Sequence, residues 1–258
     1  MNNIDIYVKR MAKSIYDKLF FVDKIFDDDI SSFIDFGCAD GTLISFAQQY
    51  YDCNFIGYDN NISMINKAIN NQVNAQFYTD WQLLADTMNN DFADCILNLS
   101  SVIHEVYSYA NNEQDIYDFW NIVFCSNFKY IVIRDMGNKN NNPLNKTYLE
   151  LLEKIRLTHT KQLTDFECIY GKIDCVSKLI HFLLKYKYIE NWDREVKENY
   201  LPITLADIIK LNENYGNKYE IIYSKEYCLP YINHLVEFDF NTELKDNTHY
   251  KVILKRKD

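Results

Sequence analysis

Phe33-Ile34-Asp35-Phe36-Gly37-Cys38-Ala39-Asp40-Gly41 is the stretch that decides the fold. Its apolar beginning predicts a strand over Ser32–Phe36 that carries one carboxylate, Asp35. Gly37 and Gly41 then allow a tight turn and a close backbone approach that a side chain would block. Leu43, Phe46, Ala47 and Tyr50 recur at helical spacing, so the turn opens into a helix whose first N–H groups are unpaired. Asp40 is placed to cap that helix.

The same alternation continues outward. Strands are predicted at Asn54–Tyr58, Ala75–Tyr78, Ala93–Leu99 and Tyr130–Arg134. Between them, Ile62, Ile65, Ala68 and Ile69 mark one helix, and Ile116, Phe119, Val123 and Phe124 another. Strands alternating with helices predict a parallel sheet covered on both faces. Upstream, Val8, Met11, Ile15, Leu19, Val22 and Phe26 are spaced by three and four, which predicts an amphipathic packing helix over residues 4–26. Gly137–Asn145 is Asn-rich, contains Pro143 and reads as a loop. Helical patterns fill residues 146–212, notably Val176–Tyr188 and Thr204–Leu211, and two late strands are predicted near Tyr219–Ser224 and His249–Leu254. The expectation is one α/β domain over 1–258: an N-terminal helix to residue 29, a binding core over 30–136, a helical insertion over 137–215 and closing strands over 216–258.

Asp59 ends the second strand, 22 residues beyond Gly37. In doubly wound sheets an acid about 20 residues past the glycine turn meets ribose hydroxyls. That fits any adenosine-containing cofactor. A dinucleotide needs G-x-G-x-x-G and a helix start facing a pyrophosphate. Here the pattern is D-x-G-x-A-x-G, and Asp35 would repel a pyrophosphate. A cofactor with a sulfonium and an ammonium instead gains from that acid.

These residues resemble the class I S-adenosylmethionine (SAM) dependent methyltransferases, a Rossmann-like family. Its first motif, D/E-x-G-x-G-x-G, is matched by Asp35, Gly37 and Gly41, with Ala39 in place of the middle glycine. Its second, G-x-D-x-S-x-x-M-I-x-x-A, is matched by Gly57, Asp59, Met64, Ile65 and Ala68, with Asn61 at the Ser position. The resemblance covers residues 30–136 well, and the late strands fit the family's closing hairpin loosely. It implies a mostly parallel seven-stranded sheet, SAM as cofactor and S-adenosylhomocysteine (SAH) as product. It also implies cofactor contacts from Cys38, Asn60 and Met64, with Asp80 at the adenine amino group and Trp81 near the ring. Asn98-Leu99-Ser100-Ser101-Val102-Ile103-His104-Glu105 stands where the family often has S-x-L-H, near methyl donor and acceptor, which places Ser100 at the cofactor.

Methyl transfer from a sulfonium is intrinsically favourable, so the protein mainly aligns the reactants and takes a proton where needed. His104 is the expected general base, with Glu105 orienting it or acting itself. Arg134 and Asp135 leave the fifth strand at the ligand-binding edge of the sheet and either bind substrate or pair with each other. Tyr107 and Tyr109 line the pocket or pack along a helix.

Composition narrows the acceptor. The net charge of −10 and pI near 5.0 disfavour a phosphate backbone as partner. The Asn/Asp-Pro-Pro-Tyr/Phe stretch of amino methylation is absent after the fourth strand, and Cys95 has no preceding Pro, unlike a cytosine C5 nucleophile. A small-molecule or protein acceptor is the expectation. An RNA methyltransferase and a non-catalytic SAM-binding partner subunit are the alternatives, and another SAM-dependent reaction, such as its cleavage, also fits the cofactor residues. The seven cysteines are odd in number and form no C-x-x-C, so a reducing, cytoplasmic setting is expected, with no disulfides and no metal site. The start of the chain is not a signal peptide, and no run of about 18 apolar residues suggests a membrane span.

Overall fold

The computed structural model describes residues 14–26 and 29–257. Five parallel strands form its centre: β1 (Ser32–Phe36), β2 (Asn54–Tyr58), β3 (Gln76–Tyr78), β4 (Cys95–Ser100) and β5 (Tyr130–Met136). With β6 (Tyr219–Tyr227) and β7 (His249–Arg256) they make one sheet in the order β3-β2-β1-β4-β5-β7-β6. The parallel expectation holds for β1 to β5, but β7 runs antiparallel to both β5 and β6, so the sheet is mixed. The late strands are not a plain hairpin, because residues 228–248 carry a helix between them.

β1, β4 and β5 are buried throughout, as strands covered on both faces must be. Ile34, Leu97, Leu99, Ile131 and Ile133 point to one face and meet α4 (Trp81–Thr87), α6 (Glu113–Cys125) and α11 (Leu205–Asn214). Phe33, Ile96 and Val132 point to the other and meet α1 (Ile15–Lys18), α2 (Thr42–Ala47) and α3 (Ile62–Asn70). The period of two along each strand thus builds both layers.

The predicted N-terminal helix is much shorter among the described residues. Val8 and Met11 lie outside them, and α1 stops at Lys18. Turns follow, and Phe26 is exposed. Bulky Phe20-Phe21-Val22 are poor helix formers, and Phe21 instead stacks on Phe33, 5.6 Å between ring centres.

Past β5 the chain forms α7 (Lys146–Thr158), α8 (Thr160–Tyr170), α9 (Val176–Leu183), a 3-10 turn (Ile189–Asn191) and α10 (Trp192–Glu195) before α11. They share a separate hydrophobic core that also takes Ile232, Val236 and Phe240 of α12 (Pro230–Phe240). Sequence patterning missed α12, although Pro230 in its first turn and apolar residues four apart are helix signals. α5 (Ile103–Tyr109) leaves β4 and enters the space between sheet and insertion.

Candidate active site

The strand order reverses between β1 and β4, and a cavity of about 900 Å³ opens at their carboxyl ends. That is where open α/β sheets bind ligands, and the size suits a small molecule. Residues from the turn after β1, the end of β2, the β4–α5 junction and the insertion line it.

The turn explains its composition. Gly37, Ala39 and Gly41 all have positive φ, at 79°, 48° and 76°. A Cβ on Gly37 would lie 2.7 Å from Val102 Cγ2. Ala39 holds a left-handed conformation without being glycine, which costs about 1–2 kcal/mol. Asp59 supports it: Oδ2 accepts the Ala39 N–H at 3.0 Å, while Oδ1 accepts Asn61 N–H at 2.8 Å. Each oxygen keeps a further lone pair, and Asp59 lines the cavity. Burial raises the Asp59 carboxyl above its ordinary range, against the pull of both N–H groups. Asp40 accepts the Thr42 N–H at 3.2 Å, the capping contact its position predicts.

Asp35 lies deeper, between β2 and β4, and its Oδ1 accepts Asn98 Nδ2 at 2.7 Å. Burial pushes its pKa up to about 6, although the Asn98 bond and Lys18 pull it down. Lys18 of α1 shares the cavity wall with it. Burial and the neighbouring Arg134 bring the Lys18 ammonium down to about 8. α1 is held there through Asp17, which accepts bonds from Arg134 Nε at 2.9 Å, Tyr227 Oη at 2.6 Å and Lys251 Nζ at 2.5 Å. Sequence patterning gave Lys18 no role, because only the fold carries the helix to the sheet edge.

Cys38, Asn60, Met64 and Ser100 also line the cavity, and the buried Ser100 hydroxyl has no hydrogen-bond partner. Asp80 and Trp81 do not line this cavity. Asp80 is exposed and caps α4 through Gln82 and Leu83 N–H groups, and Trp81 packs among Phe36, Tyr58 and Phe92.

The other half of the site is built around Asp135. Its Oδ2 accepts the N–H groups of Ile103 at 2.8 Å and His104 at 3.3 Å, which caps α5. Its Oδ1 meets His104 Nδ1 at 2.9 Å and also accepts Met136 N–H at 2.8 Å. Burial opposes charge on His104, but Asp135, with Glu105 and Glu198, outweighs it and raises the imidazole pKa. The Asp135 carboxyl is correspondingly lowered, despite its burial, chiefly by His104. Asp135 therefore pairs with His104, while Arg134 pairs with Asp17 and donates from Nη1 to Ser101 Oγ at 2.6 Å. Neither strand-five residue lines the cavity, nor does Tyr107, whose hydroxyl accepts Trp120 Nε1 at 3.0 Å.

Glu105 and Tyr109 reach the cavity wall, whereas the His104 ring lies just behind it, edge-on to Tyr200 at 5.0 Å. Burial raises the Glu105 pKa, against the pull of His104. The insertion closes this side. Arg194 places Nη2 3.3 Å from Glu105 Oε1 and Nε 2.7 Å from Glu198 Oε1, and Tyr109 donates to Glu198 Oε1 at 2.5 Å. A second cavity of about 580 Å³ meets the first at Asn61, Met64 and Arg194. The pair Arg194 and Glu198 carried no signal in the sequence, since a charged dyad in a helical region reads as solvated surface.

None of the seven cysteines is paired, and no described helix is long and apolar enough to cross a membrane. No protein-family model matches the sequence, and no curated protein matches it. Solved structures do match in shape. The plantazolicin methyltransferase BamL, solved with a substrate analog and SAH, superposes with TM-score 0.54 and 12% identity over 99% of this chain and 90% of that one. A SAM-dependent methyltransferase from Anabaena variabilis gives 0.50 and 14% over 100% and 96%. One from Mesorhizobium loti gives 0.50 and 11% over 91% and 95%. The chain has the fold of the class I SAM-dependent methyltransferases.

Proposed function

We propose that this protein is a SAM-dependent methyltransferase acting on a small-molecule or protein acceptor. One observation carries the reading: Asp35 and Asp59 face one cavity at the β1/β4 switch point, on either side of the turn 37–41. Asp59, with both oxygens aligned by backbone N–H groups, receives the ribose hydroxyls. Asp35 favours the positively charged methionine end, and Lys18 beside it takes the carboxylate. Cys38, Asn60, Met64 and Ser100 complete the lining.

SAM supplies an activated methyl group. The chain's own residues bring the acceptor to it and accept its proton. Glu105 faces the cavity with a raised pKa, and His104 stands behind it on Asp135. We assign them as the proton-accepting pair. On this side the insertion contributes Arg194 to the cavity wall and packs Tyr200 against His104.

Acids outnumber bases around the cavity, where Asp115 and Asp118 join Asp35, Asp40, Asp59 and Glu105 against Lys18 and Arg194. That wall suits a neutral or cationic acceptor and disfavours the RNA alternative. Calorimetric titration with SAM, SAH and NAD tests the cofactor. Micromolar binding of the first two and none of NAD is expected. Asp59→Ala should weaken SAH binding by about 10- to 100-fold, from the loss of charge-assisted hydrogen bonds. An unchanged affinity in a folded Asp59→Ala variant sinks the cofactor placement.

A further inference from the structure

Among the described residues, a ring nitrogen of His104 and one carboxylate oxygen each of Glu105 and Glu198 lie within 4.8 Å of one another. His104 and Glu198 are only 5% and 2% exposed. Asp135 takes Nδ1 of the imidazole, which leaves Nε2, without a hydrogen bond, as the nitrogen available to an ion. A carboxylate on one ring nitrogen is how metal-bound imidazoles are usually held, because it fixes the tautomer that ligates through the other. Glu198 is similarly half-engaged. Its Oε1 receives Tyr109 and Arg194, and Oε2 makes no hydrogen bond.

The positive charge now between the two glutamates is the Arg194 guanidinium. Its side chain is 42% exposed and sits where the two cavities meet, so it can swing out. Metal–ligand bonds of about 2.0–2.2 Å put two ligands of one tetrahedral ion about 3.3–3.6 Å apart. The three side chains therefore need to close by at most about 1.5 Å, which side-chain rotation supplies.

We propose that His104, Glu105 and Glu198 form a site for a divalent transition-metal ion, with Arg194 as its competitor in the empty protein. One imidazole and two carboxylates suit Mn²⁺ or Zn²⁺ and not a soft ion such as Cu(I). Three protein ligands leave positions open. Glu105 is on the cavity wall, so those positions face the acceptor, whose oxygen the ion would polarise. The ion then makes the pair His104 and Glu105 ligands instead of proton acceptors. This deepens the methyltransferase reading, but ion binding itself does not depend on the cofactor. It also departs from the expectation of no metal site, which rested on neighbours in sequence, whereas Glu198 joins the pair only through the insertion.

The test is calorimetric titration of the chelator-stripped full chain with MnCl₂ and, separately, ZnCl₂, without cofactor. One equivalent should bind, Glu198→Gln should weaken it by at least about tenfold, and Arg194→Gln should tighten it. The absence of binding by both ions overturns the proposal, as does binding that Glu198→Gln leaves unchanged or that Arg194→Gln weakens. Circular dichroism checks that each variant is folded, and Arg194→Gln keeps the test decisive should Glu198→Gln fail to fold. SAH titrated into the same samples separates the two readings: retained SAH binding without metal binding removes the metal site alone.

Discussion

The two halves of the cavity are built differently. On the β1/β2 side, the turn 37–41, Asp59 and Asn61 lie close in sequence, and backbone N–H groups hold the carboxylate in place. On the β4/β5 side, Asp135, His104 and Glu105 meet Arg194, Glu198 and Tyr200 from a distant helical insertion, and side chains hold side chains. The first half depends on local chain geometry. The second depends on the insertion docking correctly, so its chemistry can change by altering the insertion while the first half stays as it is.

The sharpest way to break this contrast is Asp135→Asn. Removing the charge takes the carboxylate partner from buried His104 and weakens the cap of α5, and breaking a buried pair costs about 3–5 kcal/mol. Urea unfolding should show that loss, with SAH affinity little changed under conditions where the variant is folded. An equal collapse of SAH affinity would mean that the halves are one unit.

A smaller effect sharpens the description of the first half. SAM affinity should rise with pH through about 6 as Asp35 ionises and fall through about 8 as Lys18 loses its proton. Asp35→Asn should flatten the acid limb and Lys18→Met the alkaline one, measured by titration across pH 5–9. A profile unaffected by either substitution would remove both from the methionine end. Stability of the empty protein runs the other way on the acid side. Folding retains the Asp35 proton up to about 6 from an ordinary 3.8, so that contribution is lost as pH rises through this window.

The smallest expected effect is Ala39→Gly. Relief of left-handed strain, about 1–2 kcal/mol, is offset by about 0.4–1 kcal/mol of added unfolded-chain freedom. The urea midpoint should move up slightly. A downward move would show that the methyl group packs usefully in the turn.

The same contrast decides what could be read from sequence. Strands β1, β2, β4 and β5, the turn and its two acids were legible because strand and turn signals are local. The antiparallel direction of β7 was not, since direction is settled by the connection that carries α12 and not by the strand's own residues. The N-terminal pattern predicted a helix through Phe26, but tertiary packing of Phe20 and Phe21 against the sheet won after Lys18. His104 and Asp135 were picked out by their places at strand ends, yet their pairing, and the edge-on packing of the His104 ring against Tyr200, depended on the fold. Lys18, Arg194 and Glu198 are ordinary charged residues until the fold brings the first two to the cavity and the third to Arg194.

The placement of β7 has a consequence for how the protein is made. A chain synthesised from its N-terminus completes the parallel strands first, yet β7, the last strand in order, lies inside the sheet between β5 and β6. Until residues 249–256 leave the ribosome, β5 presents an open edge, apolar over Tyr130–Ile133, and β6 has no neighbour. Such edges recruit other strands. A nascent chain stalled before His249 thus carries an open sheet edge that favours aggregation, and β7 acts as the closing stitch of biosynthesis.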